Sequence, residues 1–192
     1  FFHAEAGRRD SVASRGLGDV YKRQLYAKSS VFVPGFELST TYRGFRQPWL
    51  EQLILSLRRK SGVSFFDRRW DGGKLRAFMN RPGTITGLLA DQSAGRSGLR
   101  LPFFGRPCSV TPAPALFALR YNLSLHGCFC RRLGLGRWEI DVGPEIPTHY
   151  HDQARPIEDI MSDINSQFES FILEDPAIWF WVHDRWKKAG KS

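Results

Sequence analysis

Residues 84–107, TITGLLADQSAGRSGLRLPFFGRP, place an acid, an amide and two arginines close together: Asp91, Gln92, Arg96 and Arg100. The apolar run Ile85 to Ala90 reads as a buried strand. Asp91 and Gln92 stand where that strand would stop, and a loop with Gly95 and Gly98 follows. Ligands of open α/β sheets bind beyond the carboxyl ends of strands. The four polar residues are therefore a candidate binding site. The plainer alternative is that Asp91 only caps the loop, a use to which Asp is well suited. A second apolar run, Leu101 to Phe104, is closed by Gly105 and Pro107.

The elements that must position these groups are legible on either side. Phe36 to Tyr42 reads as a strand delivering Tyr42 and Arg43 at its end. Pro48 opens a helix, where proline fits the first turn. Leu50, Leu53, Ile54 and Leu57 form its predicted apolar stripe. Arg58, Arg59 and Lys60 suit its carboxyl end, and Gly62 stops it. Val63 to Phe66 reads as a short strand, and a helix is predicted over about 73–80. Downstream, Ala113 to Tyr121 reads as a helix, and Leu123 to Arg131 with Arg137 to Val142 as a hairpin. Ile157, Ile160, Met161, Ile164, Phe168, Phe171 and Ile172 follow a helical period, with acids on the other face.

Composition narrows the partners. The 192 residues suffice for one domain with a sizeable core. Net charge is +9, and residues 43–106 hold 13 Lys/Arg against 4 Asp/Glu, whereas 157–175 hold six acids and no Lys or Arg. A basic middle suits anionic partners: phosphorylated lipid, a membrane surface, an acidic carrier protein or nucleic acid. No apolar run is long enough to span a bilayer, and no signal peptide is visible. Cys108, Cys128 and Cys130 make no disulfide framework and read as reduced core thiols. His149, His151 and Asp152 have no further ligands at useful spacing, so no metal is expected, and no cofactor.

Two motifs carry a resemblance. Leu89-Ala90-Asp91-Gln92 with Leu101-Pro102-Phe103-Phe104-Gly105-Arg106-Pro107 is the first. Trp179-Phe180-Trp181-Val182-His183-Asp184-Arg185-Trp186-Lys187 is the second. In that order and spacing they resemble the lipid A biosynthesis (lauroyl/myristoyl) acyltransferases of the lysophospholipid acyltransferase superfamily. The resemblance covers roughly residues 36–188. It implies an α/β fold with a mixed central sheet flanked by helices. It also implies transfer of a fatty acyl chain from acyl carrier protein or acyl-CoA to a hydroxyl of a lipid A precursor, at the cytoplasmic face of a bacterial inner membrane. Tyr42, Arg43, Asp91 and Gln92 would bind the acceptor. Phe103, Phe104 and Gly105 would complete the acceptor site, with Phe103 and Phe104 lining apolar surface near the acyl chain, although plain core packing is the favoured explanation of the two phenylalanines.

The family's general base is the His of a His-x4-Asp/Glu motif. Five residues after His3, His126, His149, His151 and His183 stand Arg8, Arg131, Ala154, Pro156 and Lys188, none acidic. The motif belongs upstream of Phe36. Residues 1–24 are rich in Arg, Gly and Ser, lack hydrophobic periodicity and read as foreign to the domain. The expectation is an acyltransferase domain over 25–188, incomplete at its N-terminus and without a catalytic residue of its own, followed by a tail at 189–192. A rival within the family acylates a glycosylated phosphatidylinositol. A rival of another class is a nonenzymatic basic and aromatic module that binds nucleic acid, which no RNA-binding signature or repeat supports.

If helical, Trp179 to Lys187 puts Trp179 and Trp186 on one face. It puts Trp181 and Arg185 on another, within reach of a cation–π contact. The predicted arrangement docks Trp179 on the core. Trp186 is predicted to be exposed at a membrane interface beside Arg185, Lys187 and Lys188.

Overall fold

Strand β1, Glu37–Tyr42 (ELSTTY), is β-branched and polar at its centre. In the computed structural model it is the middle strand of a parallel sheet ordered β2-β1-β3, with β2 at Ser64–Asp67 and β3 at Thr84–Gly87. A middle parallel strand is covered on both faces, so Ser39, Thr40 and Thr41 are buried and need partners. The Ser39 and Thr86 hydroxyls lie 2.9 Å apart, and Thr40 Oγ1 donates to the Gly87 carbonyl at 2.9 Å. Leaving such a group unpaired would cost about 1–3 kcal/mol.

The structure describes residues 35–42, 44, 47–134, 137–179, 181 and 183–187. The expectations for residues 1–24 and for the tail at 189–192 fall outside them. Among the described residues the chain divides at Leu88–Leu89 into two units.

In the first unit, α1 (Pro48–Arg59) joins β1 to β2, and α2 (Gly72–Met79) joins β2 to β3. The chain leaves β1 toward one edge and returns past it to β3, so the strand order reverses at β1. Such a reversal opens a crevice at the carboxyl ends of the strands. Leu75, Phe78 and Met79 bury the apolar face of α2, with Phe78 edge-on to Phe66 at 5.5 Å. Helix α1 differs from expectation. Leu53 is half exposed, while Ile54 and Leu55 turn inward. The run predicted as a strand to Ala90 pairs only to Gly87. Leu88 and Ala90 are buried without a ladder; apolarity there reports burial, not pairing.

The second unit starts with the hairpin β4 (Leu99–Phe103) and β5 (Arg106–Val110). Its two-residue turn is Phe104–Gly105, with φ of 49° and 70°. Both positions are left-handed, as hairpin twist demands. Glycine takes this freely, whereas for a bulky Phe it is an outlier that its surroundings must hold. Helix α3 (Ala113–Tyr121) follows, then the hairpin β6 (His126–Gly134) with β7 (Arg137–Glu145), the short pair β8 (His149–Tyr150) and β9 (Gln153–Ala154), and α4 (Ile157–Glu174). His149 stands in β8, and His151 with Asp152 forms the turn into β9; no group of metal-ligating side chains occurs among the described residues.

The architecture is α/β with several small sheets and helices, compatible with the expected class. The described strands form one parallel three-stranded sheet and three antiparallel pairs. Tight turns after β4 and β8 pair each of those strands with its neighbour in sequence, and β6 pairs with β7. Helix α4 buries the expected stripe, Ile160, Met161, Ile164, Phe168 and Ile172, against Phe103, Cys108, Val110, Ala115, Ala118 and Ile146. Of the three thiols only Cys108 is core; Cys128 and Cys130 are half-buried on β6.

Candidate functional site

Strand β1 ends in Tyr42, whose hydroxyl donates to Glu51 Oε1 at 2.6 Å in the first turn of α1. Two residues on, the Gly44 amide donates to Asp67 Oδ2 at 2.7 Å. The other oxygen of Asp67 accepts from the Arg69 amide at 2.7 Å, and the Asp67 amide donates to Asp71 Oδ2 at 2.9 Å. A nearly buried carboxylate thus staples the exit of β1 to the exit of β2. A Cβ at position 44 would stand 2.6 Å from Asp67 Oδ2, so any side chain here would force that carboxylate to shift. The Lys74 ammonium, 2.6 Å from Asp71, holds the Asp71 carboxyl below its ordinary range. Arg43 lies outside the described residues.

In the second unit Asp91 and Gln92 are half-buried directly after the buried Ala90. The next amide, Ser93, donates to His183 Nε2 at 3.1 Å, across 90 residues of sequence. Ala94 donates to the Ser109 carbonyl at 3.1 Å, and Ser109 Oγ donates to the Gly95 carbonyl at 2.6 Å. The predicted loop is therefore fastened to β5 on one side and to the aromatic tail on the other.

Phe103 is wholly buried and presents no surface, whereas Phe104 is half-buried and Gly105 exposed. Phe103 lies 5.4 Å from Trp179 and 5.7 Å from Trp186, and Phe104 lies 6.5 Å from Trp181. The Phe104 amide donates to Glu169 Oε1 at 2.6 Å, which helps hold its strained turn. The two sequence motifs, so far apart in the chain, pack on one another.

At the centre of that contact is Arg185, fully buried. Its Nη2 donates to Asn165 Oδ1 at 2.7 Å, and Asn165 Nδ2 donates to the Pro102 carbonyl at 2.9 Å. Its Nε and Nη1 are buried without a hydrogen-bond partner among the described residues. The rings of Phe103, Trp179 and Phe168 surround it at 4.0, 5.6 and 5.7 Å. Burial pulls the guanidinium's pKa down from its ordinary value, against the favourable influence of Cys108, Asp91 and Glu169. An Arg nonetheless keeps its charge in a protein.

The predicted tail is corrected on three counts. Among its described residues only the short turn Pro176–Ile178 is helical. Trp186 is half-buried, its Nε1 donating to the Phe103 carbonyl at 3.0 Å, so it is not an exposed interfacial residue. Arg185 contacts the core rings rather than Trp181. Desolvating a guanidinium among aromatic faces strengthens cation–π attraction, which outweighs its preference for solvent here. Trp179, 7% exposed, sits in the core as expected.

A profile of the family described as "Bacterial lipid A biosynthesis acyltransferase" matches residues 31–188, a span that contains both motifs. The chain belongs to this acyltransferase family. A curated relative is the "Phosphatidylinositol mannoside acyltransferase" of Mycolicibacterium smegmatis (strain ATCC 700084 / mc(2)155). It is 28% identical over 99 residues, covering 52% of this chain and 31% of that protein. The chain thus spans under a third of this relative's length in the match.

Sequence reasoning about this acyltransferase chain passed over Asp67, Asn165, Glu169, and the separate roles of His183 and Arg185. Asn165 had a signal: it falls on the buried stripe of α4, where a polar side chain needs a partner. Asp67 and Glu169 had none, because their partners are backbone amides remote in sequence.

Proposed function

We propose that this acyltransferase family member moves a fatty acyl chain from acyl carrier protein or acyl-CoA to a hydroxyl of a lipid A precursor. The observation that carries the reading is the family match across residues 31–188. The doubly wound order of the first unit supports it, since Tyr42 ends the strand at which the order reverses. The basic section 43–106 suits an acceptor bearing phosphate, and the fork of Arg43 would take two of its oxygens. In the second unit Asp91 and Gln92 offer acceptors and donors for sugar hydroxyls, and Phe104 with Gly105 offers apolar surface for acyl chain. Attack of the acceptor oxygen on the thioester carbonyl releases the carrier thiol and needs a base for the hydroxyl proton. No His in the 192 residues has an acid five positions on. In this reading the chain binds and orients the acceptor, and turnover waits on a His-x4-acid segment supplied from outside it.

No described helix is long and apolar enough to cross a membrane. Trp49 and Trp70, 67% and 82% exposed, would instead meet the headgroup region at the cytoplasmic face of the inner membrane. A second reading takes a glycosylated phosphatidylinositol as acceptor, and the mycobacterial relative, named for phosphatidylinositol mannoside acylation, favours it.

Vesicle cosedimentation and acyl-transfer assays test this together. Vesicles doped with a phosphorylated lipid A precursor should retain the chain better than phosphatidylcholine alone. Asp91→Asn should weaken that retention without lowering thermal stability. Fusing a segment that carries the His-x4-acid motif should produce transfer from acyl carrier protein or acyl-CoA, where the chain alone has none. Better retention by, and transfer to, a mannosylated phosphatidylinositol would select the second reading. Equal retention by all vesicles together with a salt-sensitive shift of arbitrary DNA would overturn both in favour of a nucleic-acid-binding module.

A further inference from the structure

The loop after β3 and the aromatic tail are joined at one point by a side chain with two nitrogens. His183 Nε2 accepts from the Ser93 amide at 3.1 Å. The neutral imidazole that accepts at Nε2 carries its proton on Nδ1. The tail on which it stands is firmly placed. Asp184 Oδ1 accepts from the Trp186 amide at 3.0 Å, Trp186 Nε1 holds the Phe103 carbonyl at 3.0 Å, and Arg185 is wholly buried between them in sequence. A rigid base therefore extends one ring to the backbone immediately after Asp91 and Gln92.

We propose that His183 is a positioning residue, whose hold on the Ser93 amide sets Asp91 and Gln92 in the conformation that receives a phosphate-bearing glycolipid. This inference rests on the reading of Asp91 and Gln92 as acceptor-binding residues. The imidazole takes no proton from the substrate; it acts through the backbone. The geometry explains why a ring with an acceptor nitrogen stands there. An aromatic hydrocarbon would fill the space and leave the Ser93 amide unpaired, which is costly for a part-buried donor.

The test combines magnetic resonance and binding on the full 192-residue chain. In the wild type, long-range proton–nitrogen correlations should show His183 as the Nδ1–H tautomer. The Nε2–H tautomer would overturn the proposal without any variant being made. In His183→Phe, exchange of the Ser93 amide should quicken about five- to tenfold, the effect expected for one net hydrogen bond. Amides of α4 and the β4–β5 hairpin should be unchanged. His183→Gln, whose Oε1 can accept from the same place, should restore slow exchange. Retention on vesicles doped with phosphorylated lipid A precursor should fall in His183→Phe and recover in His183→Gln. Unchanged Ser93 exchange in His183→Phe, or acceleration spread evenly through α4, would overturn the positioning role. If Asp91→Asn binds those vesicles normally while the exchange results hold, the acceptor reading fails and the Ser93–His183 tie remains.

Discussion

The guanidinium carbon of Arg185 lies 4.0 Å from the centre of the Phe103 ring, and both side chains are wholly buried. One comes from each of the motifs that mark the family. A charge in a core is usually destabilising unless paired. Here three aromatic faces and the amide of Asn165 take the place of a bound carboxylate. Arg185→Ala should therefore cost about 3–5 kcal/mol, through a cavity and the orphaned Asn165 oxygen. Arg185→Lys should not rescue it, because an ammonium lacks the planar face that stacks on Phe103. Urea denaturation measures both. A loss below about 1 kcal/mol would place Arg185 with ordinary surface positions.

Trp186 should behave as a core residue with a polar handle. Trp186→Phe keeps an aromatic side chain but loses the fused second ring and the bond to the Phe103 carbonyl, the bond alone being worth about 1 kcal/mol. Trp179→Ala should cost about 3–5 kcal/mol. Thermal melts compare the two, and an unchanged midpoint for Trp186→Phe would mean that the indole N–H contributes nothing.

Gly44 and Asp67 should be energetically coupled. Gly44→Ala drives a methyl group to within 2.6 Å of Asp67 Oδ2 and should destabilise the parallel-sheet unit by about 1–3 kcal/mol. Asp67→Ala should remove much of that penalty while imposing its own, since it frees the Gly44 and Arg69 amides. A double-mutant cycle should return a coupling of about 0.5–3 kcal/mol. Strict additivity would show that the loop simply moves aside.

Stability should fall at alkaline pH through Cys108. Burial is the largest influence on this thiol and raises its pKa above the ordinary 9.0, against a smaller opposing pull from Arg185. The folded state therefore holds the proton more tightly than the unfolded state. The stabilisation is complete below pH 9.0 and is lost as pH rises through the folded value. Cys108→Ala should flatten that part of the stability profile. Iodoacetamide should label Cys128 and Cys130 before Cys108, which is fully buried. Rapid native labelling of Cys108 would contradict both expectations.

The elements were legible where one physical signal dominated. The stripe of α4 at Ile160, Met161, Ile164, Phe168 and Ile172 gave both the helix and its buried face. Proline at 48 and the break at Asp175-Pro176 marked helix ends that the structure keeps. The run Ile85 to Ala90 misled because burial and strand pairing share one composition, and only the ladder with β1 limits β3 to Gly87. The tail misled more. Its helical spacing predicted faces for Trp179, Trp181, Arg185 and Trp186, but core contacts with Phe103 override local periodicity. At the candidate site, Asp91 and Gln92 could be singled out as residue types at a strand end. The imidazole that ties down their loop could not, since its partner is a backbone amide 90 positions away.

The order of synthesis gives the buried tail a further meaning. The strands of the parallel sheet are complete once Gly87 has been made. The hairpin, α3 and α4 follow, but their shared core lacks Trp179, Arg185 and Trp186 until roughly 100 residues after that point, which at ribosomal speeds is about 5–20 seconds. Phe103 is without Trp179 and Trp186 for most of that interval, and α4 lacks Trp179 and Arg185 from its completion at Glu174 until the tail is made. The nascent chain therefore passes through a stage in which the apolar surface of the second unit has been made before the residues that cover it.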